Sequence, residues 1–129
     1  MLQITDLSAR VAGRLLIDHA SLTIPAGTKA GLVGRNGAGK TTLLETLLGL
    51  RSPDAGAVQL FGQHVQQLDD ATRARIGYVP QHSDLFEAFT GTQLLAYFRS
   101  FYPRWNQAKV DGLMSRWDID GDKPNPRLV

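Results

Sequence analysis

The sequence contains no cysteine, which excludes disulfide bonds, thiolate metal sites and cysteine nucleophiles. It has no stretch near the roughly 18 consecutive apolar residues that a membrane-spanning helix needs. Its amino terminus also lacks the basic and apolar regions of a secretory signal. We therefore expect a cytoplasmic chain that does not insert directly into a membrane.

Blocks of like charge are absent as well. The 14 basic and 12 acidic side chains are scattered along the 129 residues and leave a net charge of +2. A nucleic-acid partner normally requires a concentrated basic patch, so we predict none. Apolar residues make up 43% and charged residues 20%, values typical of a soluble globular protein, and the length suits one compact α/β domain.

The order of the predicted elements carries more information than the composition. Residues 2–7 alternate in polarity and residues 15–24 follow a turn at Ala12-Gly13-Arg14, a pattern that predicts a hairpin. Residues 29–33 predict a short buried strand, and residues 40–50 place leucines at helical spacing. A strand therefore leads into a glycine-rich turn, which leads into a helix.

This glycine-rich turn matches the P-loop pattern G-x-x-x-x-G-K-[ST] without a mismatch. Its residues are Gly34, Arg35, Asn36, Gly37, Ala38, Gly39, Lys40 and Thr41, followed by Thr42. Glycines let the backbone come close to phosphate oxygens, so that successive N–H groups form an anion nest at the start of a helix. Residues 34–42 therefore predict a site for a nucleoside triphosphate.

The side chains that follow the glycines suit the same chemistry. Lys40 brings a flexible ammonium group to the β- and γ-phosphates, the Thr41 hydroxyl is placed to ligate Mg²⁺, and Thr42 can donate to a neighbouring phosphate. The alternative interpretation of residues 34–42 is a tight glycine turn with an incidental exposed lysine. The G-x-G-x-x-G pattern of a dinucleotide site does not occur. ATP and Mg²⁺ are the predicted ligands.

Beyond this loop, the sequence resembles the ATPase domains of ATP-binding cassette (ABC) proteins over nearly its whole length. The loop and its approach over residues 15–27 look like the family's versions. Residues 52–56 and 58–62 are similar to the turn and strand that follow the first helix, and residues 76–81 resemble the Q-loop. The resemblance implies a P-loop NTPase (ABC ATPase) α/β core, a small antiparallel β-subdomain and part of a helical subdomain, incomplete relative to the family.

The resemblance also implies roles and boundaries. Residues 1–129 form one partial ABC ATPase domain, with the nucleotide-binding core and β-subdomain in 1–80 and the Q-loop and start of the helical subdomain in 81–129. Gln81 takes the Q-loop role as an auxiliary catalytic residue and Mg²⁺ ligand. Val11 stands where the family generally has an aromatic residue that stacks on adenine, so weak base selectivity is expected.

As to function, the resemblance implies an ATP-binding subunit that powers transport with a transmembrane partner and a second ATPase subunit, at the inner face of the plasma membrane. Tyr102-Pro103-Arg104-Trp105 looks like one branch of bacterial ABC exporters, which favours export. The family's signature motif, Walker B acids and switch histidine do not occur in the 129 residues, so we expect this chain alone not to hydrolyse ATP. The alternative is a truncated, non-hydrolysing nucleotide-binding fragment or regulatory subunit.

Overall fold

A computed structural model of the protein describes residues 1–81 and 88–124. The chain forms two compact units, Met1–Thr72 and Arg73–Val129. In chain order the elements are β1 (Leu2–Val11), β2 (Arg14–Ile24), α1 (Lys40–Leu47), β3 (Ala55–Leu60), β4 (Gln63–His64), a 3₁₀ turn (Val65–Gln67), α2 (Asp70–Arg73), α3 (Gly91–Arg99) and α4 (Gln107–Arg116). The division predicted between residues 80 and 81 stays a prediction, and residues 82–87 and 125–129 of its second part lie outside the described residues.

The predicted hairpin is confirmed, with longer strands than the sequence pattern indicated. β1 and β2 pair antiparallel from Leu2 opposite Ile24 to Val11 opposite Arg14. Ala12 (φ 50°) and Gly13 (φ 77°) form the connecting turn, both in the left-handed region. Two-residue turns of this kind match the right-handed twist of the strands.

The hairpin belongs to an antiparallel sheet of strand order β2-β1-β3-β4. Inward side chains of β1 and β3 form the core, which contains Ile4, Leu7 and Val58 together with Val65 of the 3₁₀ turn. Leu43 and Leu47 of α1 are among the residues that pack against it. This helix therefore lies on one face of the sheet, and its position fixes where the loop that precedes it can lie.

Irregular pairing interrupts the hairpin, because the register shifts between Ile4 and Leu7 and again on either side of Ala9. Two serine hydroxyls accept hydrogen bonds from backbone amides near these shifts. Asp6 N–H donates to Ser21 Oγ at 2.9 Å, and His19 N–H donates to Ser8 Oγ at 3.1 Å. The same irregularity brings His19 Nδ1 within 2.7 Å of Asp6 Oδ1. This carboxylate raises the pKa of His19 above its ordinary value of 6.5.

The strand predicted at residues 29–33 does not form, and that prediction was wrong. Residues 29–35 have no regular secondary structure. A strand is stable only when a neighbouring strand takes up its backbone hydrogen bonds, and among the described residues no strand pairs with this segment. The consequence is visible in the side chains, since Leu32 is 46% and Val33 92% exposed. Residues 76–79, which resemble the strand before the Q-loop, are likewise irregular.

Two helices, α3 and α4, follow in the second unit, where the resemblance implies the start of a helical subdomain. At the start of α3, the Gln93 amide donates to the Thr90 hydroxyl, and the Thr90 amide donates to Gln93 Oε1. Asn106 caps α4 by accepting from the Lys109 amide at 2.9 Å. These caps satisfy amides that a helix start leaves without partners. Across residues 1–81 and 88–124, no helix has the length and apolarity to cross a bilayer.

Candidate functional site

The predicted phosphate loop connects the irregular segment to α1. Gly37 (φ 83°) and Gly39 (φ 95°) both adopt left-handed backbone conformations that are costly for other residues. Between them, the Ala38 amide donates to the Arg35 carbonyl at 3.1 Å and closes a tight turn. Glycine is therefore required at these two positions by the backbone path itself.

Helix α1 begins directly at the end of this loop. Gly39 is its N-cap and offers no capping side chain, and the first intrahelical bond runs from the Leu43 amide to the Gly39 carbonyl at 2.9 Å. The amides of Lys40, Thr41 and Thr42 consequently have no acceptor within the helix. Together with the positive end of the helix dipole, these amides favour an anion at this position.

The side chain of Lys40 folds back over the loop, and its ammonium donates to the Gly34 carbonyl. Gly34 also lies close to Ala38, because a Cβ atom placed on Gly34 would be 3.4 Å from Cβ of Ala38. Gly34, Ala38 and Lys40 are thus brought together. The contact with phosphate oxygens predicted for the Lys40 ammonium stays a prediction.

The two threonines after the lysine have different surroundings. Thr41 is exposed at the first turn of α1. Thr42 is 8% exposed, and its carbonyl accepts a hydrogen bond from the Thr46 hydroxyl at 2.7 Å. Thr42 therefore belongs mainly to the packed side of the helix, and the phosphate contact predicted for it stays a prediction.

Strand β2 supports the loop through Leu16, a contact that the sequence did not reveal. A Cβ atom placed on Gly39 would lie 3.2 Å from Cβ of Leu16, so glycine is needed here for close approach as well as for backbone conformation. Leu16 and Gly39 also line a cavity of about 310 Å³ with Leu32, Val33 and Leu43. An apolar residue in a strand gives no sequence signal for such a neighbour.

Val11 and Gln81 complete the set of predicted site residues. Val11 is the half-buried last residue of β1 and lies opposite Arg14. Gln81 is exposed and belongs to the second unit. Its predicted contact with Mg²⁺ stays a prediction, as does the base-stacking position assigned to Val11.

Comparison with known proteins places this arrangement in a class. The sequence pattern of the family described as "ABC transporter" matches residues 17–127. The chain is 40% identical over 103 residues to Nod factor export ATP-binding protein I of Burkholderia lata, a match covering 80% of this chain and 34% of the relative. It is also 37% identical over 113 residues to daunorubicin resistance ATP-binding protein DrrA3 of Streptomyces coeruleorubidus, covering 85% and 36%. The chain spans about a third of the length of these relatives.

Among solved structures, the fold is similar to an ATP-binding cassette protein in a dimeric, post-hydrolysis state bound to ADP and phosphate. The TM-score is 0.78 at 18% identity, covering 100% of this chain and 63% of the other. At that identity the likeness concerns the fold alone.

A glycine loop directly before a helix, in a chain whose residues 17–127 match the ABC transporter family, defines a P-loop NTPase domain. The chain belongs to the ABC transporter family, within its ATP-binding proteins. Membership of this family implies nucleotide binding.

Proposed function

We propose that this chain is part of an ATP-binding subunit of an ABC transporter, in which residues 34–42 bind MgATP to power transport. The phosphate loop carries the proposal. Its glycines adopt the conformations that an anion nest needs, its lysine returns to the Gly34 carbonyl, and the first amides of α1 have no intrahelical acceptor. The backbone amides of Lys40, Thr41 and Thr42 hold the phosphates in this proposal, and the Lys40 ammonium neutralises charge on the β- and γ-phosphates.

The side chain of Thr41 fits the metal that accompanies such a nucleotide. Mg²⁺ prefers hard oxygen ligands such as a hydroxyl, and Thr41 is an exposed residue directly after Lys40. Gln81 offers an amide oxygen as a second ligand by resemblance to the Q-loop. When bound, Mg²⁺ neutralises phosphate charge, while Lys40 and the loop amides orient the triphosphate.

The relatives support export as the direction of transport, because the protein from Burkholderia lata is named for Nod factor export. A transmembrane subunit and a second ATPase subunit are the proposed partners, and the dimeric form of the similar cassette structure supports the second. With those partners, the chain is peripheral at the inner face of the plasma membrane. The family match does not favour the alternative of a truncated, non-hydrolysing nucleotide-binding fragment or separate regulatory subunit.

The test is MgATP binding by calorimetric titration of the chain and of Lys40→Ala. Loss of one charge-assisted phosphate contact costs about 1.5–3 kcal/mol, so we expect affinity to fall roughly ten- to a hundredfold. Lys29→Ala is the matched control, since Lys29 is an exposed lysine outside the loop. Equal affinities for Lys40→Ala and Lys29→Ala would contradict the proposal.

Binding is expected without turnover in these 129 residues. A general base is typically worth about 10²–10⁴-fold in rate, and no apolar run after the loop ends in a pair of acidic residues. Phosphate release from the purified chain with MgATP measures this, with Lys40→Ala as the control for contaminating ATPases. Lys40-dependent release at the rate of a complete ABC domain would show that a catalytic acid lies within the chain.

A further inference from the structure

The second unit contains a cavity at the start of α4, where the segment Tyr102-Pro103-Arg104-Trp105 leads into the helix. Its volume is about 490 Å³, within the range of about 300–1,000 Å³ that is usual for small-molecule pockets. The lining includes an aromatic pair, an aliphatic pair and a cationic pair: Tyr102 with Trp105, Val110 with Leu113, and Arg104 with Lys109.

The aromatic and aliphatic residues give this cavity its apolar surface. Val110 and Leu113 are half-buried and lie one turn apart in α4. The indole N–H of Trp105 donates to Gln107 Oε1 at 3.0 Å, so the polar group of this side chain already has a partner. The rest of the indole is apolar. An occupant with an apolar body therefore gains free energy by displacing water from these residues.

The two cations at the cavity have no partner of their own. Arg104 and Lys109 are exposed, and within residues 1–81 and 88–124 no group forms a hydrogen bond or ion pair with the guanidinium or with the ammonium. In the described part of the chain, no carboxylate lines this cavity. An anion bound here meets two positive charges and no negative one.

Helix α4 keeps its acidic residue apart from these cations. Asp111 accepts a hydrogen bond from Gln107 Nε2 at 2.8 Å, and both residues line a different cavity, beside residues of α3. Lys109, Val110 and Leu113 line the cavity at the start of α4 instead. The two sides of the helix thus differ in charge, and the side of Lys109 is the one that attracts an anion.

We propose that this cavity binds a small amphiphilic anion, an unbranched apolar chain that ends in a carboxylate. The chain lies against Trp105, Val110 and Leu113, and the carboxylate is held by Arg104 and Lys109. Inorganic phosphate would leave the apolar surface in contact with water, and an uncharged chain would leave both cations without a partner. The site consists of residues 102–113 and is independent of nucleotide binding at residues 34–42.

Trp105 allows binding to be followed by fluorescence. The chain has two tryptophans, and Trp117 does not line the cavity, so Trp117→Phe leaves Trp105 as the only indole. Decanoate, decyltrimethylammonium and inorganic phosphate are titrated into this variant, each decyl compound below its micelle-forming concentration. Calorimetry repeats the titrations with the unaltered chain.

Decanoate is expected to give a saturable signal and to bind at least about tenfold more tightly than decyltrimethylammonium, since the two chains are equal and only the charge differs. Phosphate should leave the fluorescence unchanged. Octanoate should bind about three- to tenfold more weakly than decanoate, because it buries two fewer methylene groups.

Arg116 provides the matched control, because it is an exposed arginine of α4 that does not line the cavity. Arg104→Ala and Lys109→Ala should each weaken decanoate binding about two- to fivefold, whereas Arg116→Ala should leave it unchanged. Arg104→Glu combined with Lys109→Glu should reverse the preference, so that decyltrimethylammonium binds more tightly than decanoate. Circular dichroism checks that each variant is folded, and if the double variant is not, the comparison of ligands on the unaltered chain still decides.

Three results would overturn the inference. The first is the absence of saturable decanoate binding by both fluorescence and calorimetry. The second is equal affinity for decanoate and decyltrimethylammonium, which would mean that the cations do not select the ligand. The third is a loss in Arg116→Ala as large as in Arg104→Ala, which would indicate a general attraction of anions and not a site. The titration of MgATP with Lys40→Ala tests the proposed function separately.

Discussion

Two valines of the first unit show how differently its parts are built. Val58, in β3, is 2% exposed, whereas Val33, in the apolar segment before the phosphate loop, is 92% exposed. Both stand in runs that favour a strand, but β3 lies beside β1 and β4, and residues 29–33 pair with no strand among the described residues. Apolar side chains therefore enter the core only where their backbone is also hydrogen-bonded to a neighbouring strand.

The largest loss of stability is expected where a glycine of β3 lies against the neighbouring strand β1. Gly56 has φ 84°, and a Cβ atom placed on it would lie 2.2 Å from the Asp6 carbonyl oxygen in β1. Left-handed strain costs about 1–2 kcal/mol, and displacing the neighbouring strand adds to it, so we expect Gly56→Ala to lose at least about 3 kcal/mol. Gly13→Ala, at φ 77° with no atom within 4 Å, should lose only the strain. Urea denaturation of both variants measures the difference, and equal losses would contradict the close approach.

Substitution of each valine by alanine tests directly whether burial determines its contribution to stability. Val58→Ala removes two buried methyl groups and should cost about 2–3 kcal/mol of unfolding free energy, including the cavity left behind. Val33→Ala removes the same atoms from an exposed position and should change stability by less than about 0.5 kcal/mol. The same urea titrations measure both. A comparable loss for Val33→Ala would show that residues 29–33 are packed in solution.

Titration of His19 gives the smallest expected effect. Because Asp6 raises the pKa of His19 above 6.5, the charged pair contributes its full stability below that pH, and the contribution is lost as the pH rises through the folded-state pKa. Melting temperature should therefore fall slightly as the pH rises through this range. His19→Gln and Asp6→Asn should each remove this part of the slope. An unchanged slope in both variants would mean that the pair contributes nothing to folding.

Local signals explain what the sequence predicted correctly. Ala12 and Gly13 mark the hairpin turn, and the P-loop pattern marks the loop before α1, because each depends on residues that are close in sequence. The proximity of Leu16 to Gly39 depends on how separate segments pack, and no local pattern encodes it. The prediction of a strand at residues 29–33 was wrong for the same reason, since strand pairing depends on two segments and not on one.

The serine hydroxyls near the hairpin's irregularities have a consequence for alignment during folding. Sliding β1 along β2 by two residues keeps the same side chains facing inward, so burial alone does not forbid such a slip. After that slip, however, Ser21 no longer meets the Asp6 amide, nor Ser8 the His19 amide. Two donors then lose their protein partners, which disfavours the slipped state. Polar groups at the bulges thus select one alignment from several that the apolar residues would accept equally.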